Sequence, residues 1–312
     1  MEWRERIRIY AASGRALGIG GAWRLARHRL LGHRSPFMQR SAGLFHGAGI
    51  EVGGPSPLFS PRGYAPVYAL AGSLDNVNFS ARTHWEGTIP AGASFRFRDG
   101  AAPGQQFFSE ATCLRDVADA RYDFLLSCHM LEHSANPLKA LAEWRRVLAP
   151  GGTLILALPH KDGTFDRHRP VTPLPHLVDD FERDMGEDDA SHFEEVLRLH
   201  DMKRDPGQPS RQALRTWVEG NAVNRGVHHH VFDSLAAAAL VDHAGFQLLA
   251  VEPAAPESIF LFARKSDQAG TPDNAPFLSA TAAYLAASPF PSDRARAAAP
   301  KLSASAPSAA RR

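Results

Sequence analysis

The sequence predicts an α/β fold, in which a mostly parallel sheet lies between two layers of helices, and three observations support this prediction. Short apolar runs alternate with segments whose apolar residues recur every three or four positions. Glycine and proline separate these segments. The 312 residues, 44% of them hydrophobic, are enough for one large domain or two small ones with a proper core.

The composition argues against several classes of protein. A net charge of +2 gives no overall positive field for nucleic acid, and no apolar run reaches the roughly 18 residues of a membrane span. Two cysteines, Cys113 and Cys128, are too few for a disulfide framework or a cysteine-rich zinc fold. We therefore expect a soluble, cytoplasmic protein.

Three parts of the chain differ in composition. Residues 1–40 carry nine Arg and two Glu, and predict a basic helical arm. This arm either caps the domain as a solvated helix or contacts an anionic membrane surface or a protein partner. Residues 41–265 form the predicted folded body. Residues 266–312 contain 15 Ala, 6 Pro and 7 Ser, which predicts a disordered tail.

The clearest pattern is a strand, a helix and a second strand within residues 122–159. Residues 122–128 form a short apolar run, and an Asn-Pro pair at 136–137 begins a helix with apolar residues every three or four positions. The next apolar run, 153–158, follows Pro-Gly-Gly. Because ligands bind beyond the carboxyl ends of parallel strands, we expect a site around His129 and His160.

Other short runs complete the predicted sheet. Residues 49–52 enter a glycine turn, Gly53-Gly54-Pro55, which is either a ligand cradle or an ordinary loop. Residues 65–70 are the predicted second strand, and residues 106–110 the third. Two runs at 246–251 and 258–263 predict a closing antiparallel pair.

The segment YDFLLSCHMLEHSANPLKALAEWRRVLAPGGTLILALPH resembles the second half of a class I S-adenosylmethionine-dependent methyltransferase, of the type 11 kind. It contains in order the family's Tyr-Asp strand, Leu-Glu-His, Arg-Val-Leu and Pro-Gly-Gly. With Glu-Val-Gly-Gly after the first strand, the resemblance covers about residues 45–263. It implies a Rossmann-like three-layer sandwich with an antiparallel C-terminal strand, and S-adenosylmethionine as cofactor.

The resemblance also implies which residues bind this cofactor, because each lies after or near a predicted strand. They are Glu51, Gly53 and Gly54 for the methionine portion, Asp75 for the ribose, Glu110, Ala111 and Thr112 for the adenine, and Ser127 beside the methyl group. Three of them have structural alternatives: Glu51 caps a loop, Ser127 satisfies backbone groups, and Asp75 is a solvated turn residue.

Methyl transfer from a sulfonium requires an aligned acceptor and, for a hydroxyl acceptor, a base. Histidine has a suitable pKa, about 6.5, so the candidate catalytic residues are His129 and His160. The polar stretch at about 160–230 is the predicted acceptor-side insertion. Its candidate acceptor-binding residues are Asp166, His168, Arg169 and His229. The expected acceptor is a small molecule or saccharide.

Three other interpretations remain open. His129, Glu132 and His133 fit the His-x-x-Glu-His motif of zinc hydrolases, which requires both imidazoles on one helix face. A metal-assisted methyltransferase would use the histidines and aspartates at 160–168 and 228–230, although no tight ligand spacing predicts a metal there. A non-catalytic binding or scaffold protein on the same fold is the third.

Overall fold

The computed structural model describes residues 34–83, 85–266 and 272–299. An eight-stranded sheet with the order β5-β6-β2-β1-β7-β8-β10-β9 forms the centre of the protein, and β3 and β4 form a separate hairpin. The strands are β1 Ala48–Val52, β2 Ser73–Asn78, β3 Arg82–Thr83, β4 Gly87–Thr88, β5 Gly92–Phe95, β6 Gly104–Phe108, β7 Tyr122–Cys128, β8 Leu148–Pro159, β9 Phe246–Ala254 and β10 Ser258–Lys265.

The middle of the sheet is parallel. Strands β6, β2, β1, β7 and β8 run in one direction. Strand β10 is antiparallel to both β8 and β9, and β5 is antiparallel to β6. The predicted α/β fold, mostly parallel with an antiparallel C-terminal strand, is therefore confirmed. The chain order reverses between β1 and β7, which is where sheets of this kind open a crevice for a ligand.

The helices flank this sheet, and no described helix is long and apolar enough to cross a bilayer. They are α1 Pro36–Ser41, α2 Pro137–Val147, α3 Leu174–Glu182, α4 Phe193–Leu199, α5 Arg211–Glu219, α6 Asn221–Asn224, α7 Ser234–His243, α8 Ala275–Leu278, α9 Ala283–Ala287 and α10 Pro291–Ala298.

The two faces of the sheet are covered differently. On one face, α2 and α7 bury apolar side chains such as Trp144 and Leu240. On the other, α1 and irregular or 3₁₀ segments bury Phe45, Phe59 and Tyr68. Both faces are thus closed, but the second layer between β1 and β6 is built largely without regular α-helix.

The strand, helix and strand predicted at 122–159 are present. Asn136 caps α2, because its side-chain oxygen accepts a hydrogen bond from the Lys139 backbone N–H (3.0 Å), and Pro137 occupies the first helical position. At Leu148 the backbone becomes extended, which ends the helix and begins β8.

The second strand lies later than predicted. Residues 65–70 contain a 3₁₀ turn, Val67–Ala69, and the strand is Ser73–Asn78. Ala65, Val67 and Tyr68 are buried because this segment packs against the sheet, so their burial did not require a strand. The true strand carries Asn76 and Asn78 and has a weaker apolar pattern. Asp75 consequently lies within β2 rather than beyond its carboxyl end.

The predicted tail of residues 266–312 is ordered in part, which corrects the expectation of disorder. Residues 272–299 include α8, α9 and α10, with Leu285 and Phe290 buried. Asp293 is fully buried and accepts hydrogen bonds from the hydroxyls of Ser234 and Ser288, both at 2.6 Å. A few anchoring side chains therefore hold an Ala-rich segment. Residues 300–312, and the basic arm as far as residue 33, lie outside the described residues.

Candidate functional site

A cavity of about 390 Å³ opens beyond the carboxyl ends of the parallel strands, where the chain order reverses. Residues after β1, β2, β6 and β7 line one side, and the β9–β10 turn lines another. The lining includes Gly53, Asn78, Trp85, Glu86, Glu110, Ala111, His129, Met130, His133, Glu187, Arg225, Glu257 and Ser258.

The glycine turn after β1 is tied to β2. The Gly53 N–H donates to the Val77 carbonyl oxygen (2.8 Å), and the Gly54 carbonyl oxygen accepts from Asn78 Nδ2 (3.1 Å). Gly53 has a φ of +87°, and a Cβ atom there would lie 2.7 Å from Met130 Cγ. Only glycine suits this position, so the backbone faces the cavity without a side chain.

Glu51 lies beneath this turn and does not line the cavity. It is fully buried, and its carboxyl group accepts hydrogen bonds from the Ser56 N–H (3.0 Å) and the Tyr68 hydroxyl (2.6 Å). Burial raises the pKa of Glu51 to about 8, although both hydrogen bonds oppose the shift. Gly54 packs directly against this carboxyl group. The structure therefore assigns Glu51 and Gly54 to support of the turn.

Asp75, the predicted ribose ligand, does not line the cavity. Its carboxylate accepts hydrogen bonds from Arg121 (3.0 Å) and the Tyr122 hydroxyl (2.7 Å). The residue at the end of β2 that lines the cavity is Asn78, whose Oδ1 is buried and has no hydrogen-bond partner among the described residues. Glu86 from the β3–β4 hairpin lines the same region. Sequence reasoning missed both residues because it misplaced the second strand.

The stretch after β6 reaches the cavity in part. Glu110 and Ala111 line it and Thr112 does not. Glu110 accepts a hydrogen bond from Arg225 (2.7 Å), which also donates to Glu187 (2.9 Å). Burial raises the pKa of Glu110, while Arg225 opposes this shift. One arginine thus joins two carboxylates of the cavity wall.

Ser127 and His129 lie on either side of the last residue of β7, and their surroundings differ. Ser127 is fully buried inside the sheet and does not line the cavity, and no group in the described part of the chain forms a hydrogen bond with its hydroxyl. His129 lines the cavity, and its Nε2 lies 3.0 Å from Ser258 Oγ. Burial, together with His228, lowers the pKa of His129 to about 4, so this imidazole is neutral near pH 7.

His160 does not face the cavity, which corrects its prediction as a catalytic residue. It is fully buried, and its Nε2 lies 3.2 Å from Asp293 Oδ1. Its ring stacks on Phe290 at a centroid distance of 3.9 Å. The C-terminal segment, which the sequence did not place, therefore covers the end of β8.

None of the four predicted acceptor-binding residues lines the cavity. Asp166 and Arg169 are buried and paired (2.9 Å), and Arg169 also donates to the carbonyl oxygens of His228 and His229. Although burial opposes it, pairing with His228 and Arg169 lowers the pKa of Asp166 to about 2. His229 is fully buried, and His168 is 53% exposed near Asp201. These residues connect parts of the insertion to one another.

Glu257 is a cavity residue that sequence reasoning missed. It lies in the β9–β10 turn beside Ser258 and lines the cavity, and burial raises its pKa to about 7. Within the part of the chain that the structure describes, its carboxylate forms no hydrogen bond. Because β10 is antiparallel to β8, Ser258 pairs with Pro159, and the turn lies at the carboxyl ends of the parallel strands. Only this pairing reveals its position.

The zinc-hydrolase geometry is absent from the predicted motif. His129 follows β7, whereas His133 lies in the 3₁₀ turn Leu131–His133, and its Nδ1 is 3.1 Å from the Val227 carbonyl oxygen. The two imidazoles therefore do not share one helix face. His133 lies instead close to Glu132 and His228.

A second, more open cavity of about 880 Å³ adjoins the first. The two share Trp85, His133 and Arg225. The insertion supplies most of the remaining lining, which includes Phe165, Asp205, Gln208, Gln212 and Trp217. The insertion therefore does contribute to a cleft beside the first cavity, through residues other than those predicted.

Comparisons with known proteins found several similar solved structures. The chain is similar to a SAM-dependent methyltransferase structure from Methanosarcina mazei (14% identity, 75% of this chain and 99% of that chain, TM-score 0.42). It is also similar to a putative methyltransferase from Bacillus halodurans (15% identity, 73% and 97%, TM-score 0.39) and to the trans-methyltransferase CalH in complex with SAH (15% identity, 69% and 50%, TM-score 0.38). No curated protein matches.

A family model matches the middle part of the chain. A model described as "Methyltransferase domain" matches residues 96–156, which include β6, β7, α2 and most of β8. These are the elements that carry the resemblance seen in the sequence. The family model therefore supports that resemblance for residues 96–156.

Proposed function

We propose that this protein transfers a methyl group from S-adenosylmethionine to a hydroxyl group of a small polar acceptor, with saccharides as the expected class. The observation that carries the proposal is the cavity at the reversal of strand order, which has the Gly53 turn on one side and the unpaired Glu257 carboxylate on another. The turn supplies backbone for the cofactor, and the carboxylate supplies a base for the acceptor.

The residues that face the cavity fit this cofactor. Gly53 leaves room for the methionine portion, and Asn78 presents an unpartnered oxygen near the expected ribose position. Ala111 lies where adenine is expected. Among the residues that the structure describes, the acids lining the cavity are Glu86, Glu110, Glu187 and Glu257, and the one arginine is Arg225. This acidic balance favours a cationic sulfonium over its neutral product.

The protein's part in the reaction is to orient the acceptor, exclude water and receive a proton. The bound cofactor supplies an activated methyl group. A carboxylate with a pKa of about 7 is matched to removing a hydroxyl proton near neutral pH, so Glu257 is the proposed general base. His129, with its lower pKa, is the weaker base, and through its contact with Ser258 it orients the β9–β10 turn.

The adjoining cavity supports a saccharide acceptor. Trp217 and Phe165 provide aromatic surface, and Gln208, Gln212 and Asp205 provide hydrogen-bonding groups. A sugar ring presents apolar C–H faces and a rim of hydroxyls, which a mixed aromatic and polar lining of this kind complements. His133 and Trp85 lie where the two cavities meet, so an acceptor bound in the second reaches toward the first.

Calorimetric titration with S-adenosylmethionine and its demethylated product tests the cofactor. We expect both to bind and to raise the unfolding temperature, since a ligand that binds only the folded state stabilises it. Failure of both to bind would favour the non-catalytic scaffold. A screen with isotope-labelled methyl donor then tests the acceptor across saccharides, amines and carboxylic acids. Transfer confined to amines or carboxylic acids would contradict the hydroxyl proposal while leaving the cofactor assignment intact.

A further inference from the structure

The insertion between β8 and α7 brings four potential metal ligands together outside the methyl-transfer cavity. His176 and Asp180 lie one turn apart on α3, His192 immediately precedes α4, and His230 lies before α7. Residues four apart on a helix share one face. One ligand atom from each of the four residues lies within 4.8 Å of the other three. Side chains that are far apart in sequence thus converge on one point.

The distances fit a single tetrahedral ion. His176 Nε2 lies 3.3 Å from His192 Nε2 and 3.4 Å from Asp180 Oδ2. Asp180 Oδ2 lies 3.6 Å from His230 Nε2. Ligand atoms bound tetrahedrally to zinc are about 3.4 Å apart, given zinc–ligand distances of about 2.0–2.1 Å. The three imidazole centroids are 5.1, 5.8 and 5.3 Å apart, which is consistent with rings that point toward a common centre.

The hydrogen bonding of these side chains is incomplete. Asp180 is only 3% exposed, and its Oδ2 has no hydrogen-bond partner among residues 34–83, 85–266 and 272–299. His230 Nε2 reaches the Ala135 carbonyl oxygen only at 3.4 Å, which is long for a hydrogen bond. Leaving a buried carboxylate oxygen unpartnered is costly. A cation between these atoms would satisfy them together.

We infer that His176, Asp180, His192 and His230 bind one Zn²⁺ ion. Three imidazoles and a carboxylate suit zinc, and four protein ligands leave no open position, which is the pattern of a structural site. Two neighbouring groups, Glu132–His133–His228 and Asp189–His192–His229, offer three ligands each. This inference goes beyond the proposed methyl transfer and does not depend on it.

The ion would tie together three parts of the insertion. The loop between Asp180 and His192 carries Glu187, which lines the cavity and accepts hydrogen bonds from Ser134 (3.0 Å) and Arg225 (2.9 Å). Fixing both ends of this loop holds Glu187 in place. The ion therefore stabilises one wall of the cavity without touching cofactor or acceptor.

The test uses the full chain, stripped with a chelator and titrated with Zn²⁺ by calorimetry. We expect one ion per chain and a higher unfolding temperature in its presence. Replacement of the partly exposed ligand, His176→Gln, should weaken zinc binding by at least about 100-fold. The matched control is His168→Gln, an exposed histidine of the same insertion, which should bind zinc like the parent. Co²⁺ bound in place of Zn²⁺ should show the visible absorption of tetrahedral coordination.

Circular dichroism of each stripped variant separates a lost ligand from a lost fold, and Asp180→Asn repeats the test with a nearly isosteric change. Absence of zinc binding by the folded parent chain would overturn the inference. Undiminished binding in both folded His176→Gln and Asp180→Asn would also overturn it. Binding lost only on His228→Gln or His229→Gln would place the ion at a neighbouring group and reject the proposed ligand set.

Discussion

The carboxyl ends of β7 and β8 lie side by side, and each is followed by a histidine, but the two histidines have opposite surroundings. His129 lines the cavity and contacts Ser258. His160 is covered by the C-terminal segment and paired with Asp293. Position after a strand therefore does not make a residue part of the site. The C-terminal segment covers the end of β8 and leaves the end of β7 open, so a distant part of the chain decides which strand end lines the cavity.

The same contrast separates the glycine turn and the β9–β10 turn from the start of the insertion. Gly53 and Glu257 face the cavity. In contrast, Arg169 donates hydrogen bonds to Asp166 and to a nearby backbone carbonyl oxygen, so neither side chain faces the cavity. These four residues thus illustrate two classes, residues that face the cavity and polar residues that are buried away from it in pairs. Substitutions in the first class should change binding or rate, and substitutions in the second should change stability.

Gly53→Val should have the largest effect. A branched side chain at a φ of +87° collides with Met130 and blocks the approach of a ligand to the backbone. We expect affinity for S-adenosylmethionine, measured by calorimetry, to fall about 1,000-fold, or about 4 kcal/mol. Gly43→Val is the control, because a Cβ atom there meets nothing within 4 Å. Unchanged affinity in folded Gly53→Val would mean that the cofactor lies elsewhere.

Arg169→Met should affect stability instead. Removing a buried guanidinium takes away one of the two partners of the buried Asp166 carboxylate and the donor to the His228 and His229 carbonyl oxygens. We therefore expect the free energy of unfolding in urea to fall by about 3 kcal/mol. Arg167→Met is the matched control, since Arg167 is 43% exposed and lies 3.8 Å from its nearest carboxylate. If Arg169→Met kept its stability and lost acceptor binding, Arg169 would belong with the cavity-facing class.

Glu257→Gln should lower kcat about 100-fold, the scale of a lost general base, while the protein remains folded. The ionised form is the active one and the pKa is raised to about 7, so the parent rate should rise as the pH increases through about 7. The variant should lose this dependence. Exposed Glu182→Gln is the control. An unchanged pH profile in Glu257→Gln would assign the base to another residue.

Asp293→Asn should have the smallest effect, a loss of about 1 kcal/mol of stability near neutral pH. Burial opposes the shift, but hydrogen bonds from His160, Ser234 and Ser288 lower the pKa of Asp293 below its ordinary 3.8. A depressed pKa contributes stability above the unfolded-state value and loses it as the pH falls through the folded-state value. The free energy of unfolding, measured by urea titration at a series of pH values, should therefore fall less steeply with decreasing pH in the variant than in the parent. The exposed control Asp116→Asn should behave like the parent.

The elements that sequence reasoning located best were those whose pattern is local. The cap and apolar spacing of α2 depend on residues within a few positions, as does the Pro-Gly-Gly that precedes the second buried run. The requirement for glycine at position 53 also follows from a turn directly after a strand. Such local patterns can be recognised without knowledge of the rest of the chain.

The errors arose where burial came from a distant segment. The run at 65–70 is apolar because it packs against the sheet as a 3₁₀ turn, and this displaced the second strand and Asp75 with it. The Ala-rich C-terminal segment is ordered by a few anchors, among them Asp293. Nothing local in either stretch indicates the partner that it packs against.

The sequence by itself determined the alternation of strands and helices, the glycine turn, the methyltransferase resemblance and hence the edge of the sheet that holds the cavity. The tertiary structure alone decided that Glu257 faces this cavity, that His160 and Arg169 do not, and that four dispersed residues of the insertion meet at one point. The physical reason is that local patterns fix backbone conformation, whereas the solvation, pairing and charge state of a side chain depend on neighbours supplied by remote parts of the chain.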